Sequence, residues 1–145
     1  DLRKTLNGVD GIVLNDGEAR LLTGKEDLVE AGTEVLKMGP VFVVIKKAEH
    51  GALLVSADEA YSLPAYPTRS VKDPTGAGDS FAAGMLGYLA AVDRFDGPAL
   101  RSAMARGACI ASITIEDFSM RSIAAATKDD VAKRLARYKA MLSFD

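Results

Sequence analysis

The segment Asp73-Pro74-Thr75-Gly76-Ala77-Gly78-Asp79 concentrates the chemistry of this sequence. Pro74 biases Asp73 away from the α region, which delays helix initiation until after the turn. Gly76 and Gly78 let the backbone turn sharply and approach a ligand with no Cβ in the way. From Ala77 onward good helix formers follow one another, and Asp79 falls in the first turn. A glycine turn feeding a helix gathers N–H groups at one spot, and the helix dipole makes that spot favourable for phosphate. A carboxylate beside an anion cradle is the equipment of phosphoryl transfer. Asp79 is then the catalytic base that takes the acceptor hydroxyl's proton, and the Gly76, Ala77 and Gly78 amides form an anion hole for the charge building on the transferred group. So close to a helix start Asp79 stays ionised and weakly basic, which suffices where positioning outweighs proton abstraction. The plain alternative is a first-turn aspartate that only complements the dipole.

Other phosphate and hydrolase signatures fit less well. No Gly-x-x-x-x-Gly-Lys followed by Ser or Thr occurs, and Gly76-x-Gly78 lacks a third glycine because Phe81 stands there. Gly78-Asp79-Ser80-Phe81-Ala82 comes near a Gly-x-Ser-x-Gly nucleophile elbow with Ser80 as nucleophile. That serine-hydrolase reading needs a histidine after the serine, and the one histidine, His50, precedes it. A nucleotide- or anion-binding module without catalysis is the third reading.

The elements that must position the turn can be read from the pattern. Asp1–Leu6 looks like the end of a helix, and Gly11–Leu14 is a short apolar run suited to a buried parallel strand. Asn15-Asp16-Gly17-Glu18 then opens a helix ended by Gly24, and a second helix spans about Glu26 to Met38 before Gly39-Pro40. Val41–Ile45 is the strongest strand, so strand, helix and strand imply a parallel crossover. Ala52–Val55 and Ala60–Leu63 read as a hairpin, and a strand near Ser70–Lys72 runs out into the glycine turn. Helices follow at about Ala77–Val92, Pro98–Ile115 and Lys128–Leu142. Ala103, Ala105, Gly107, Ala108 and Ala111 make the second of these small-sided, so another backbone should approach it closely. Met85, Leu86, Tyr88 and Leu89 are core candidates on the first. Val131, Leu135, Tyr138 and Leu142 form one apolar stripe on the last.

These elements give an α/β layered fold with a mostly parallel sheet flanked by helices, whose ligands sit beyond the carboxyl ends of the strands. Asn15 and Glu18 follow one strand end, Lys46 and Lys47 another, and Asp73 to Asp79 a third. Three polar clusters should therefore meet at one rim.

The 145 residues suit a single domain, residues 1–145. A net charge of -2 provides no basic surface for nucleic acid. The longest uncharged run, Ser80–Val92, falls short of the roughly 20 residues of a membrane span. One cysteine, Cys109, allows no internal disulfide and fits a reducing, cytoplasmic setting as a small buried hydrophobe. His50, between Glu49 and Gly51, reads as a solvent-facing turn residue.

The glycine turn resembles the C-terminal signature of the phosphofructokinase-B, or ribokinase-like, family of sugar and nucleoside kinases. Asp73, Pro74, Gly76, Ala77, Gly78, Asp79, Ala83, Gly84, Met85 and Leu86 all fit that signature. The resemblance implies a ribokinase-like fold with ATP and Mg²⁺ as cofactors and a small sugar or nucleoside as acceptor, without nucleic-acid or membrane partners. Asn15-x-x-Glu18 matches the family's Asn-x-x-Glu motif near the phosphates, with Glu18 holding magnesium through water. Asp73 and Thr75 match positions that give oxygens to a monovalent cation, so K⁺ is a candidate cofactor. Residues 44–52 resemble the strand and turn that contact nucleotide, with Lys46 as a point charge and Gly51 in the turn. Ala48 departs from that pattern, standing where a glycine is common. The Ile113–Ser122 segment, with Glu116-Asp117-Phe118, lies where the family walls the adenine. The chain resembles only the C-terminal half of the family, which implies a nucleotide-binding and catalytic portion of a larger kinase. The acceptor site and lid belong to the N-terminal half, so this portion is expected to be inactive alone, and the full-length protein could form a homodimer.

Overall fold

Val41–Ile45 delivers what its β-branched run suggests: the strand β2 (Phe42–Lys46), buried from Phe42 through Ile45. Such a continuous apolar run suits a strand covered on both faces. The computed structural model describes residues 2–118 and 121–144, and contacts gather into two units, Asp1–Pro64 and Ala65–Asp145. Asp1 of the first anticipated helix and residues 119–120 of the anticipated adenine wall lie outside the described residues.

The first unit opens with α1 (Leu2–Leu6) and continues through β1 (Gly11–Asn15), α2 (Asp16–Thr23) and α3 (Leu28–Leu36) to β2. α2 ends where Gly24 adopts a left-handed φ of 69° and returns its N–H to the Arg20 carbonyl. The Asp27 carboxylate caps α3 by accepting from the Val29 and Glu30 N–H groups. β3 (Ala52–Ser56) and β4 (Ala60–Leu63) complete a four-stranded sheet in the order β1-β2-β3-β4. Leu14, Val43, Ile45, Leu53 and Val55 cluster with Ala19 of α2 and with Ala31 and Val35 of α3.

The β1–β2 pair is parallel, as the strand–helix–strand order implies, whereas β2–β3 and β3–β4 are antiparallel. The parallel share of this sheet is thus smaller than the sequence suggests. Its cause is local: after β2 a single 3₁₀ turn, Ala48–His50, reverses the chain directly into β3, leaving no room for the crossover a parallel neighbour needs.

The second unit is helical. α4 (Ala77–Val92) and α5 (Gly97–Thr114) pack on each other, followed by α6 (Arg121–Ala125) and α7 (Lys128–Met141). The anticipated strand at Ser70–Lys72 does not form. All three residues are exposed, and the Lys72 N–H bonds to the Ile115 carbonyl at 2.8 Å, at the end of α5, rather than to a strand.

The expected close approach to the small-sided helix occurs between α4 and α5. A Cβ on Gly107 would lie 2.6 Å from the Phe81 carbonyl oxygen, and one on Gly84 would lie 3.2 Å from the Gly107 Cα. Met85 and Leu89 are buried here, while Leu86 is 53% exposed and leaves the anticipated core. Tyr88 is half-buried and carries the Arg106 guanidinium 4.0 Å above its ring. On α7 the expected stripe is present, with Tyr138 buried and Val131, Leu135 and Leu142 half-buried. Among the described residues no helix is long and apolar enough to cross a membrane.

Candidate active site

Gly76 takes a left-handed φ of 81° and opens α4 without a side-chain cap. A Cβ there would meet only the Thr114 Cγ2, at 4.0 Å, so conformation rather than space calls for glycine. The Ser80 N–H returns to the Gly76 carbonyl at 2.9 Å, and the Ala77 N–H bonds to the Pro74 carbonyl at 3.2 Å. Of the expected anion-hole amides, that of Ala77 is thus engaged inside the turn. Among the described residues the Gly78 and Asp79 N–H groups donate to no protein acceptor. Helix starts are ordinarily satisfied by a side chain, water or ligand, so this one is suited to an anion. Asp79 is exposed in the same first turn.

The turn is held from behind by the end of α5. The Thr114 and Ser80 hydroxyl oxygens lie 2.9 Å apart, both residues buried, and Thr114 also reaches the Ile110 carbonyl at 3.1 Å. Thr114 has one proton, so when it donates to Ile110, Ser80 donates to Thr114. Ser80 is therefore a link between helices, a role that weighs against its hydroxyl serving as a nucleophile. Upstream, the Asp73 carboxylate accepts from the Thr75 N–H at 2.9 Å. The Lys72 ammonium stands 3.6 Å from Asp117. The Phe118 N–H bonded to Asp117 holds that carboxyl below its usual range, with Lys72 and Arg121 adding to the effect.

A second brace has no motif in the sequence. Arg134 of α7 grips Glu116 with two hydrogen bonds of 2.9 Å and reaches the Ser112 hydroxyl at 2.9 Å. Glu116 also accepts from the Thr68 hydroxyl at 2.8 Å, while Arg134 lies 5.0 Å over the Tyr66 ring. The guanidinium holds the Glu116 carboxyl below its ordinary range, against the opposing effect of burial, with Thr68 assisting. These partners are 18 and 48 residues apart, beyond the reach of any spacing rule. Cys109 is buried on α5, and desolvation pushes its thiol up to about 11, consistent with packing rather than reactivity.

In the first unit, the parallel register pairs Asn15 with Lys46, so these two residues share the carboxyl-end rim of β1 and β2. Asn15 and Glu18 form a capping box: Asn15 Oδ1 accepts from the Glu18 N–H at 2.7 Å, and Glu18 Oε2 accepts from the Asn15 N–H at 2.8 Å. Glu18 Oε1 has no part in this box, and Glu18 is exposed. One carboxylate with free oxygen capacity fits the sparse protein ligation that magnesium accepts. Among the described residues no group of three or more His, Cys, Asp or Glu could form an all-protein metal cage. Gly51 lies in the β2–β3 turn with φ 87° and ψ −139°, a region open mainly to glycine. His50 is exposed there, as expected. Ala48 also adopts a positive φ, of 49°.

The third anticipated cluster, Asp73 to Asp79, belongs to the second unit.

Comparison with known proteins places these features in context. The family profile of the pfkB family carbohydrate kinase matches residues 1–127. Cytidine kinase from Thermococcus kodakarensis is 39% identical over 90 residues, covering 60% of this chain and 32% of that protein. Guanosine-inosine kinase from Exiguobacterium acetylicum is 35% identical over 94 residues, covering 60% and 31% respectively. The chain thus spans about a third of the length of these curated relatives. Aminoimidazole riboside kinase from Salmonella enterica, solved with aminoimidazole riboside and an ATP analog, superposes with a TM-score of 0.80 at 23% identity. It covers 92% of this chain and 44% of its own. The anticipated ribokinase-like α/β fold is therefore the one observed.

Proposed function

The chain belongs to the pfkB family of carbohydrate kinases, and on that premise we propose that it supplies the catalytic, nucleotide-binding portion of a kinase transferring phosphate from ATP to a hydroxyl. The observation that carries this reading is the start of α4, where uncapped Gly78 and Asp79 amides stand beside an exposed aspartate. Anion-stabilising donors and a carboxylate in one helical turn are what phosphoryl transfer asks of a protein.

In this mechanism the Gly76 and Gly78 amides, joined by that of Asp79, receive the charge spreading over the transferred group, while the Ala77 amide stays bonded within the turn. The Asp79 carboxylate orients the acceptor hydroxyl and takes its proton as the new O–P bond forms. Lys46 contributes a positive charge toward a nucleotide phosphate, and Gly51 lets the β2–β3 turn approach the nucleotide. Glu18 would hold magnesium through water, offering the oxygen capacity outside its capping box, and Asn15 would stand beside the nucleotide phosphates. Magnesium, when bound, supplies charge neutralisation on the phosphates. Asp73 and Thr75 supply oxygens for a monovalent cation. The Asp73 carboxylate, which accepts from the Thr75 N–H at 2.9 Å, and the Thr75 hydroxyl are hard oxygen donors of the kind such an ion takes.

A nucleoside acceptor is favoured over a simple sugar because the two curated relatives compared above are named as nucleoside kinases. The acceptor site lies in the part of those kinases that this chain does not span, so the chain alone binds nucleotide without turnover.

The deciding experiment is Asp79→Asn in the full-length protein, assayed with ATP, magnesium and a panel of cytidine, inosine, ribose and fructose. Turnover should fall by about 10²–10⁴-fold with nucleotide affinity little changed. Near-normal turnover would remove Asp79 from the chemistry. A separate titration of the 145-residue chain with ADP tests whether it binds nucleotide in the absence of phosphorylation.

A further inference from the structure

A cavity of about 380 Å³ opens between the end of α5, α6 and α7; no residue of the glycine turn lines it, whereas Ile113, Glu116 and Ser122, from the segment expected to wall the adenine, do. Its volume lies within the roughly 300–1,000 Å³ range of small-molecule sites. Three cations of α7 line it, Lys133, Arg134 and Arg137, against the two carboxylates Glu116 and Asp130.

Glu116 is committed to Arg134, and Asp130 in part to the cap of α7, where Thr127 chiefly, with Lys133 close enough to help, holds its carboxyl below the usual range. Glu116 is held in a bidentate pair by Arg134. Asp130 closes the capping box of α7, its Oδ2 accepting from the Thr127 N–H and hydroxyl. Lys133 and Arg137 have no carboxylate within 4.0 Å among the described residues, and at a spacing of i, i+4 they share one helix face. Two like charges at that spacing destabilise a helix slightly, a cost that a bound anion offsets.

A second, independent observation comes from α6. The Ser122 hydroxyl lines the cavity and is buried without a hydrogen-bond partner among the described residues. A buried hydroxyl left unbonded is costly, so such groups ordinarily find protein, water or ligand.

We propose that this α5–α7 cavity is a binding site for a small organic phosphate, separate from the turn that opens α4. Lys133 and Arg137 take the phosphate oxygens as charge-assisted donors, and the Ser122 hydroxyl bonds the organic moiety. A cavity of this size exceeds what inorganic phosphate would fill, which is why the ligand carries a sugar-sized body. Arg134, already locked by Glu116, contributes field and shape rather than a free donor.

The test is calorimetric titration of the chain with ribose 5-phosphate, with ribose, inorganic phosphate and sulfate as controls at matched ionic strength. Ribose 5-phosphate should bind more tightly than each control, and Lys133→Gln and Arg137→Gln should each weaken it about tenfold. Both side chains belong to exposed residues, so the variants should keep the parent melting temperature. Ser122→Ala supplies a third arm, expected to weaken ribose 5-phosphate but not inorganic phosphate. Asp79→Asn, by contrast, should leave this binding unchanged. Equal binding of all the anions would overturn the proposal, as would undiminished affinity in the Lys133→Gln/Arg137→Gln double variant.

Discussion

The hydroxyl oxygens of Thr114 and Ser80 meet 2.9 Å apart in the buried contact between α5 and α4. Ser80 follows Asp79 directly, so this bond fixes the first turn of α4 against the end of α5. Thr114→Val keeps the side-chain shape but leaves the Ser80 hydroxyl buried without that partner, at a cost of about 1–3 kcal/mol. The Ser80→Ala/Thr114→Val pair removes both groups and should cost less than the sum of the single changes. Urea unfolding of the four proteins measures this. Strict additivity would show that the two hydroxyls do not depend on each other.

Two glycines of neighbouring helices should respond in opposite directions to alanine. Gly107 has the Phe81 carbonyl oxygen 2.6 Å from where its Cβ would lie, so Gly107→Ala must push α4 and α5 apart. Overpacking of this kind costs about 1–3 kcal/mol. Nothing lies within 4 Å of a Cβ on Gly87, in the exposed interior of α4. There the greater helix propensity of alanine should stabilise by up to about 1 kcal/mol. Equal responses would mean that the helix crossing is looser than this geometry.

The sequence made most of this architecture legible because its signals are local. Gly24 ends α2 and the Gly76 turn opens α4 at the residue expected, whereas the caps that set the starts of α3 and α5, Asp27 and Asp96, shift those helices slightly from the anticipated bounds. The Ser70–Lys72 segment misled because a short stretch around one β-branched residue, Val71, says nothing about whether a ladder partner exists. What it found instead was a single carbonyl, that of Ile115. The Glu116–Arg134 brace was hidden for a related reason: its partners come together only after α7 folds back onto α5. Asn15 and Glu18 were visible as a pair, yet their geometry is that of a helix cap. A capping role and a role near phosphates use different oxygens of the same carboxylate and do not exclude each other.

Glu116 should give stability a pH dependence. Its carboxyl titrates below the ordinary 4.5, chiefly because of Arg134, with Thr68 assisting. A depressed folded-state value means that the unfolded chain binds the proton more readily. The pair therefore contributes fully above about 4.5, and that contribution is lost as pH falls through the depressed folded value. Glu116→Gln should cost about 1.5–3 kcal/mol at neutral pH, the range for hydrogen bonds to charged groups. It should also flatten the acid limb of a stability profile between pH 7 and 3. A variant whose acid limb parallels that of the parent would assign the loss to other carboxylates.

Ala48 offers a test in which departure from the family pattern and backbone geometry agree. The resemblance implies a glycine at this position, and the φ of Ala48 is 49°. An L-residue in the left-handed region bears roughly 1–2 kcal/mol of steric cost that glycine escapes. Ala48→Gly also frees the unfolded chain, which takes back about 0.4–1 kcal/mol. Ala48 is exposed, so little packing is lost with its methyl group. The balance should be a gain of up to about 1.6 kcal/mol, read as a higher urea midpoint at unchanged slope. Because the turn from Lys47 to Gly51 carries the chain from β2 into β3, its relaxation should also slow amide exchange at Gly51. A lower midpoint would mean that the methyl group holds this turn together and that alanine was retained for packing.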